Sequence, residues 1–371
     1  MAIQKISGVT IDLIDQASGD VAYYDSEVNS WVRLAKGNAG EVLTMNESET
    51  APQWGPAPPT WVPQGTLRGY ASGGNNGSWG ATSRYDWIDT YSFASDGNAT
   101  DWGNLVRDSY MGAGTASATH GYVMGGEFWN GSSSTYVDTI QKFSMASNAD
   151  ATDVGNTSFA RAFGIGSGHS DGTYGYHCYI EGWPVTTNNV DRFPFATDTN
   201  ATDVGNLNQN QAPNGGISST THGYHTSDTG VPNAAISAEG NINQFSFASP
   251  ATATDVGDIL FTMQHPGGSM SETHGYISGG HITNAVPGVN TIQKFPFASL
   301  GNSTDVGDLQ QDKGHTPACS SSTTHNYNAG GWMGEQNPSN VIDKWSTSTD
   351  ANATDVGDLR GANYGITGAQ V

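Results

Sequence analysis

Apolar and polar positions between residues 66 and 371 fall into short runs, four to a unit, each cut off by Gly, Asn, Asp or Ser. In chain order a unit holds a Gly/Ala/Ser run such as GAGTAS, then HGYVMGG, then IQKFSM, then ATDVG. These runs are called A, B, C and D. No segment sustains a long 3.6-residue helical period, so the pattern predicts four short strands per unit and an all-β chain.

The units recur. One phrase appears six times: ATDWGNL from Ala99, ATDVGNT from Ala151, ATDVGNL from Ala201, ATDVGDI from Ala253, STDVGDL from Ser303 and ATDVGDL from Ala353. Its aspartates, Asp101, Asp153, Asp203, Asp255, Asp305 and Asp355, are spaced by 52, 50, 52, 50 and 50 residues. A second phrase precedes it, as in DTYSFAS, TIQKFSMAS and VDRFPFAT. A third carries Tyr70, Tyr122, Tyr176, Tyr224, Tyr276 and Tyr327, usually followed by a Gly pair. Four strands per period of about 50 residues is the blade of a β-propeller.

The blades resemble a divergent kelch-type propeller over residues 66–371. A Gly pair closes run B, an aromatic sits in C, and D carries a large residue where kelch repeats place Trp. Trp102 keeps that Trp, and Val154, Val204, Val256, Val306 and Val356 replace it. Arg107, Arg161 and Arg360 lie beyond D, where a kelch Arg often falls. The first unit begins at run B, Arg68 to Gly74, with no A run before it. The last D run is followed by RGANYGITGAQV, which matches an A run. The segment from about Tyr364 to Val371 is therefore expected to pair into the first blade and close a ring of six, which removes exposed strand edges.

Composition sharpens this picture. Thirteen Lys+Arg against 35 Asp+Glu give a net charge of −22. That balance argues against nucleic-acid binding, which needs basic surface, and against anionic membranes. No run of eighteen apolar residues occurs, so no membrane insertion is expected. The start, MAIQKISGVTIDLIDQ, has no basic stretch followed by an apolar one, so no signal peptide is expected. The two cysteines, Cys178 and Cys319, provide neither a disulfide framework nor a CxxC metal motif.

Residues 1–60 lack the repeats, and residues 61–65 are expected to link them to the propeller. From Gly19 they read GDVAYYDSEVNSWVRLAKGNAGEVLTMNESETAPQWGP. This resembles modules of bacteriophage tail-fibre and other virion adhesin proteins, with GD-x-x-YYD…WVRL-x-KG-x-x-G-x-VLTMN…APQW recurring in them. The match covers about forty residues, including Gly19, Asp20, Tyr23, Tyr24, Trp31, Arg33, Leu34, Lys36, Gly37, Gly40, Val42, Leu43, Thr44, Pro52 and Trp54. VAYYD, WVRLAKG and GEVLTM read as three short strands, and Gln53–Pro63, with four prolines, as a semi-rigid connector. So small a unit is expected to bury itself against its own copies or a virion partner. The resemblance implies virion attachment through Tyr23, Tyr24, Trp31, Arg33, Leu43 and Trp54. Fibres of this kind are commonly trimers, so a homo-oligomer is expected.

Catalytic and metal signals are weak. His120, His222, His274 and His325 stand in register at the start of run B, with Arg68 and Tyr174 in the other two units. A ring would spread them over separate turns, so turn packing outweighs zinc binding. The repeated Asp resembles the Asp-box of sialidases, itself a structural turn, and explains itself by bonding its own backbone. No G-x-S-x-G, HExxH or P-loop is present, so no enzyme and no cofactor are expected.

The informative asymmetry lies between loop sets. In an antiparallel four-strand blade, A–B and C–D turns share one face, and B–C and D–A loops share the other. The first set hardly varies. The B–C loops differ in length and content and hold Trp79, Tyr85, Trp87, Phe128, Trp129, Tyr136, Trp183 and Trp332. Aromatics among polar neighbours on a rigid scaffold suit sugars and protein surfaces. The alternative for any one of them is that it merely covers a blade edge. The chain enters the first blade at the uniform face, so the variable loops are expected to point away from the virion. The expectation is a phage structural protein, a tail fibre or adhesin binding a host-surface glycan or protein. A capsid-decorating or head-fibre protein is the alternative within the virion, and a carbohydrate-active propeller enzyme the alternative of another class.

Overall fold

Gly precedes the tyrosine of strand B in five of six repeats, and this small residue makes room for the aromatic of the neighbouring C strand. Phe143, Phe193, Phe245 and Phe295 lie directly opposite Gly121, Gly175, Gly223 and Gly275, with their rings over the glycine Cα. This pairing fixes the B–C register, and with it which face each tyrosine presents.

The computed structural model describes residues 17–38, 41–45, 50–56, 62–77, 83–161, 167–179, 188–208, 212–228, 240–282, 288–315, 317–333 and 337–371. These are strands and connections, without a helix. The chain divides into two compact units, Met1–Thr60 and Trp61–Val371.

The larger unit is a six-bladed β-propeller. Blade two shows the plan: A (Ala113–Ala116), B (His120–Met124), C (Ser134–Ser144) and D (Thr152–Arg161), antiparallel in that order. Blades three to six repeat it from Ser167, Ala212, Gly267 and Ala318. Blade one takes B, C and D from Arg68–Ser72, Trp87–Ser92 and Thr100–Asn104, and its A strand from Thr367–Gln370. Thr367 faces Ser72 and Gln370 faces Gly69, so the C-terminal strand closes the ring as the displaced A run implied.

Each A strand lies against the A strands of both neighbouring blades. A Cβ on Gly114, Gly168, Gly216 or Gly368 would collide with the backbone of the adjoining A strand. Only glycine allows that approach. The axial space that remains is small, ≈ 70 Å³.

The core lies between blades. Each buried B-strand tyrosine meets the C-strand aromatic of the following blade: Tyr70–Phe143 at 5.4 Å, Tyr122–Phe193 at 5.3 Å, Tyr176–Phe245 at 5.6 Å and Tyr224–Phe295 at 5.6 Å. Tyr276–Trp345 at 6.5 Å and Tyr327–Tyr91 at 5.7 Å complete the six seams. A polar tie accompanies them. A backbone N–H five or six residues after the strand-D aspartate donates to a buried C-strand side chain of the next blade, as Arg107 to Gln141, Ser158 to Asp191 and Leu260 to Gln293. Gln310 to Asp343 and Arg360 to Asp89 follow the same rule, the last across the closure.

In the smaller unit, Val21–Asp25 pairs with Ser30–Leu34 and Glu41–Met45 with Pro52–Pro56. The fourth strand falls in part of the expected connector. Its prolines stand at the two ends of a two-stranded edge, where a missing N–H costs little. Pro63–Gly65 are held by the propeller: Gly65 N–H donates to the Ser321 carbonyl, and Gln370 Nε2 to that of Pro63.

Candidate functional site

The two propeller faces are built differently. On the A–B and C–D face the repeat supplies its own hydrogen bonds. Ser117 Oγ accepts the His120 N–H at 3.0 Å, and Thr119 Oγ1 meets His120 Nδ1 at 2.9 Å. The same pair of contacts recurs at His222, His274 and His325. These four rings are turn elements. The repeated aspartates are structural as well, but they stand in strand D beside its bulge and not in a turn: Asp153, Asp203, Asp255, Asp305 and Asp355 each accept the N–H of the glycine two residues on, at 3.1–3.2 Å. Between blades four and five this face holds an open cleft of ≈ 460 Å³, lined by Ser219, His222, Gln244, Glu272, Phe297 and Leu300.

The B–C and D–A face carries the variation. In blade one Tyr85 stacks on Trp87 with centroids 4.0 Å apart and planes at 12°. The Arg360 guanidinium lies 4.8 Å from the Trp87 ring while bonding Asp89 and Asp101. In blade two the loop forms a hairpin that the repeat pattern does not contain, Glu127–Trp129 against Ser134–Tyr136. Asn130 Oδ1 caps its turn by accepting the N–H groups of Ser132 and Ser133 at 2.9 Å. Arg107 lies 5.3 Å from the Phe128 ring, and the Trp129 N–H donates to Asp108 at 3.1 Å. Burial raises the Asp108 pKa, and the Trp129 N–H opposes the rise.

Nearer the axis, Trp332 packs on Tyr364 at 4.6 Å, and Tyr364 on Tyr110 at 5.4 Å. Arg84 joins this group to the hairpin. It pairs with Glu127, donates to Ser134 Oγ at 2.8 Å and lies 5.4 Å from the Tyr110 ring.

The expected binding residues therefore separate. Trp79 and Trp183 lie outside the described residues. Tyr136 is exposed at 40%, whereas Tyr85, Trp87, Phe128, Trp129 and Trp332 are half-buried. Each of these five has one part in the scaffold and one part at the surface. Tyr85, Trp87, Phe128, Trp129 and Tyr136 gather over blades one and two, and Trp332 stands with the axial group.

The attachment residues of the smaller unit separate as well. Asp20 binds the Ala17 and Lys36 N–H groups and Arg33, which hold its carboxyl down at about 2. Trp54 donates to the Ala35 carbonyl at 2.7 Å and covers Gly37. Arg33 and Trp54 thus serve the fold, and Tyr23 is half-buried. Tyr24, Trp31 and Leu43 are exposed at 50%, 38% and 45%, with Tyr24 and Trp31 paired edge-on at 5.9 Å.

Among the described residues two groups have metal-ligand chemistry: His169, Cys178 and His225, and His265, His281 and His315. In the first, Ser167 Oγ and the Ile217 carbonyl engage both ring nitrogens of His169, and burial pushes the Cys178 thiol up. The second stands on the loop face. The repeats could not reveal it, because its members come from three segments that differ from blade to blade. The one signal was two histidines shortly before Pro266 and Pro317, at the start of consecutive A strands.

No protein-family model matches the chain, and no curated protein is similar to it.

Proposed function

We propose that the chain is a bacteriophage structural protein, a tail fibre or adhesin, whose propeller meets the host surface through its B–C loop face. The resemblance of residues 19–54 to virion adhesin modules supports the setting. The observation that carries the reading is the division of labour between faces. One face spends its Ser, Thr and His side chains on recurring turns, and the Asp side chains beside them on the recurring bulge of strand D. The other replaces repetition with individual loops that hold aromatics beside Arg84, Arg107 and Arg360. Aromatic and Arg side chains are the residue types that dominate recognition surfaces.

The path of the chain supports the same orientation. Gly65 pairs beside Ser322 in the A–B turn of blade six, and Thr66 and Leu67 donate to the Val371 carbonyl. The segment before strand B of blade one thus meets the propeller at its uniform face. The exposed Tyr24, Trp31 and Leu43 suit attachment to a virion partner or to further copies of the chain.

The experiment is retention of the purified chain on arrayed bacterial surface glycans and on intact host cells, with the glycans analysed afterwards. Saturable retention with uncut glycans supports an adhesin. Shortened glycans would replace it with the enzyme reading, and no retention on glycans or cells would remove it.

A further inference from the structure

We infer that His265, His281 and His315 form a binding site for one divalent ion of the zinc class, at the axial end of the B–C loop face. The three rings come from three connections: the D–A crossing into blade five, the B–C loop of blade five and the D–A crossing into blade six. Pro266, next to His265, and Pro317, two residues after His315, line the axial space. Ring centroids lie 4.3 Å apart for His281 and His315, 4.8 Å for His265 and His315, and 6.3 Å for His265 and His281. One nitrogen of each lies within 4.8 Å of the other two. Bonds of about 2.0–2.1 Å to a tetrahedral ion set neighbouring nitrogens a little over 3 Å apart, a distance that ring rotation can reach.

Packing does not account for the residue type at these positions. Four crossings into an A strand carry one residue in the left-handed region, and those into blades one and two use Gly365 (φ +66°) and Met111 (φ +57°). His265 (φ +55°) and His315 (φ +49°) adopt the same conformation, which glycine accepts more readily than any ring-bearing residue. His281 follows the Gly pair of its blade, where blades one, two and six place Asn75, Glu127 and Trp332. Three departures from the repeat therefore converge on one corner.

Their hydrogen bonding points the same way. Among the described residues, neither ring nitrogen of His281, which is only 6% exposed, has a hydrogen-bond partner. Nδ1 of His315 is also buried without one. Leaving such nitrogens unpaired inside a protein is unfavourable, and a metal ion would satisfy them. The His169 group makes the contrast, since hydrogen bonds already occupy both nitrogens of that ring. Three imidazoles without a carboxylate suit zinc, nickel, copper or iron rather than calcium or magnesium. Trp332 and Tyr364 wall the site at 6.1 Å and 5.8 Å from the His315 ring. Three protein ligands leave a fourth position for water or an outside oxygen donor.

Gly314 supplies a test that leaves every ligand in place. Its backbone is not left-handed, yet a Cβ there would stand 2.5–2.8 Å from three atoms of the His281 ring. Gly314→Ala should therefore displace the ring and little else. The experiment is titration of the untagged, chelator-treated full chain with Co²⁺, followed by displacement with Zn²⁺ and by melting with and without Zn²⁺. The expected result is one Co²⁺ per chain with the strong visible bands of a four-coordinate ion, their loss on adding Zn²⁺, and a higher melting temperature with Zn²⁺. His281→Ala and His315→Ala should abolish the bands. Gly314→Ala should weaken binding about ten-fold or more, and the turn variant His274→Ala should leave it unchanged. Should the histidine variants fail to fold, the wild-type titration and its Zn²⁺-dependent melting decide alone. No saturable Co²⁺ or Zn²⁺ binding by the folded wild type, or binding that persists in folded His281→Ala and His315→Ala, would overturn the site.

Discussion

Tyr327 of blade six lies 5.7 Å from Tyr91 of blade one, centroid to centroid, and the Tyr91 hydroxyl meets Ser320 Oγ at 2.8 Å. The closing seam thus uses the same B-to-C contact as the five internal ones. Tyr327→Ala removes a buried ring there, and Tyr224→Ala does so inside the array. Both should lower unfolding free energy by about 3–5 kcal/mol in urea denaturation. A far smaller loss for Tyr327→Ala would mean that the ring does not close through this contact.

Lys313 and Asp343 form an ion pair with Nζ–Oδ2 at 2.8 Å and no solvent exposure on either side chain. Blades two, four and five place neutral Gln141, Asn243 and Gln293 where blade six has Asp343, so the C strand does not require a charge. Lys313→Met strands a buried carboxylate and should cost about 3–5 kcal/mol. Adding Asp343→Asn should recover most of that loss, as a double-mutant cycle in chemical denaturation would show.

Burial holds the His169 imidazole down at about 4, against an ordinary value of 6.5. Below pH 6.5 the unfolded chain takes up a proton that the folded ring refuses, so this group's contribution to stability falls as pH drops and levels off below about pH 4. His169→Gln removes that dependence. The wild type should lose about 2 kcal/mol more than His169→Gln between pH 7 and pH 5, measured by denaturation at both pH values.

The turn histidines should behave as structure alone. His274→Ala loses the contact to Thr273 Oγ1 at 2.8 Å and should cost about 0.5–1.5 kcal/mol in thermal or urea unfolding. Retention on host cells should not change.

The six blades and the displaced A strand were legible because repetition reports what every blade must share. The Gly-Tyr of strand B, the aromatic of strand C and the Asp-x-Gly of strand D each answer to a contact that recurs around the ring. Features that belong to one blade were not legible. The Glu127–Trp129 hairpin and the pairing of Met263–Gln264 with His281–Ile282 arise where a single loop meets a single crossing. The burial of Trp332 depends on Tyr364 and His315, which are 32 and 17 residues away in the chain. Tyr110 and Tyr364 fall in D–A crossings, whereas the aromatics that the loop pattern singles out all lie in B–C loops. Gln53–Pro56, the part of the expected Gln53–Pro63 connector that lies in the Pro52–Pro56 strand, read as connector because proline usually ends a strand, yet an edge tolerates it.

The most direct test of the account is the adsorption rate of virions carrying loop-face variants, measured as free particles remaining with host cells over time. Trp129→Ala with Tyr136→Ala should slow adsorption strongly while particle yield and the melting temperature of the purified chain stay close to wild type, and His120→Ala particles should adsorb normally. Normal adsorption by assembled particles carrying the Trp129→Ala and Tyr136→Ala pair would contradict the claim that this face meets the host.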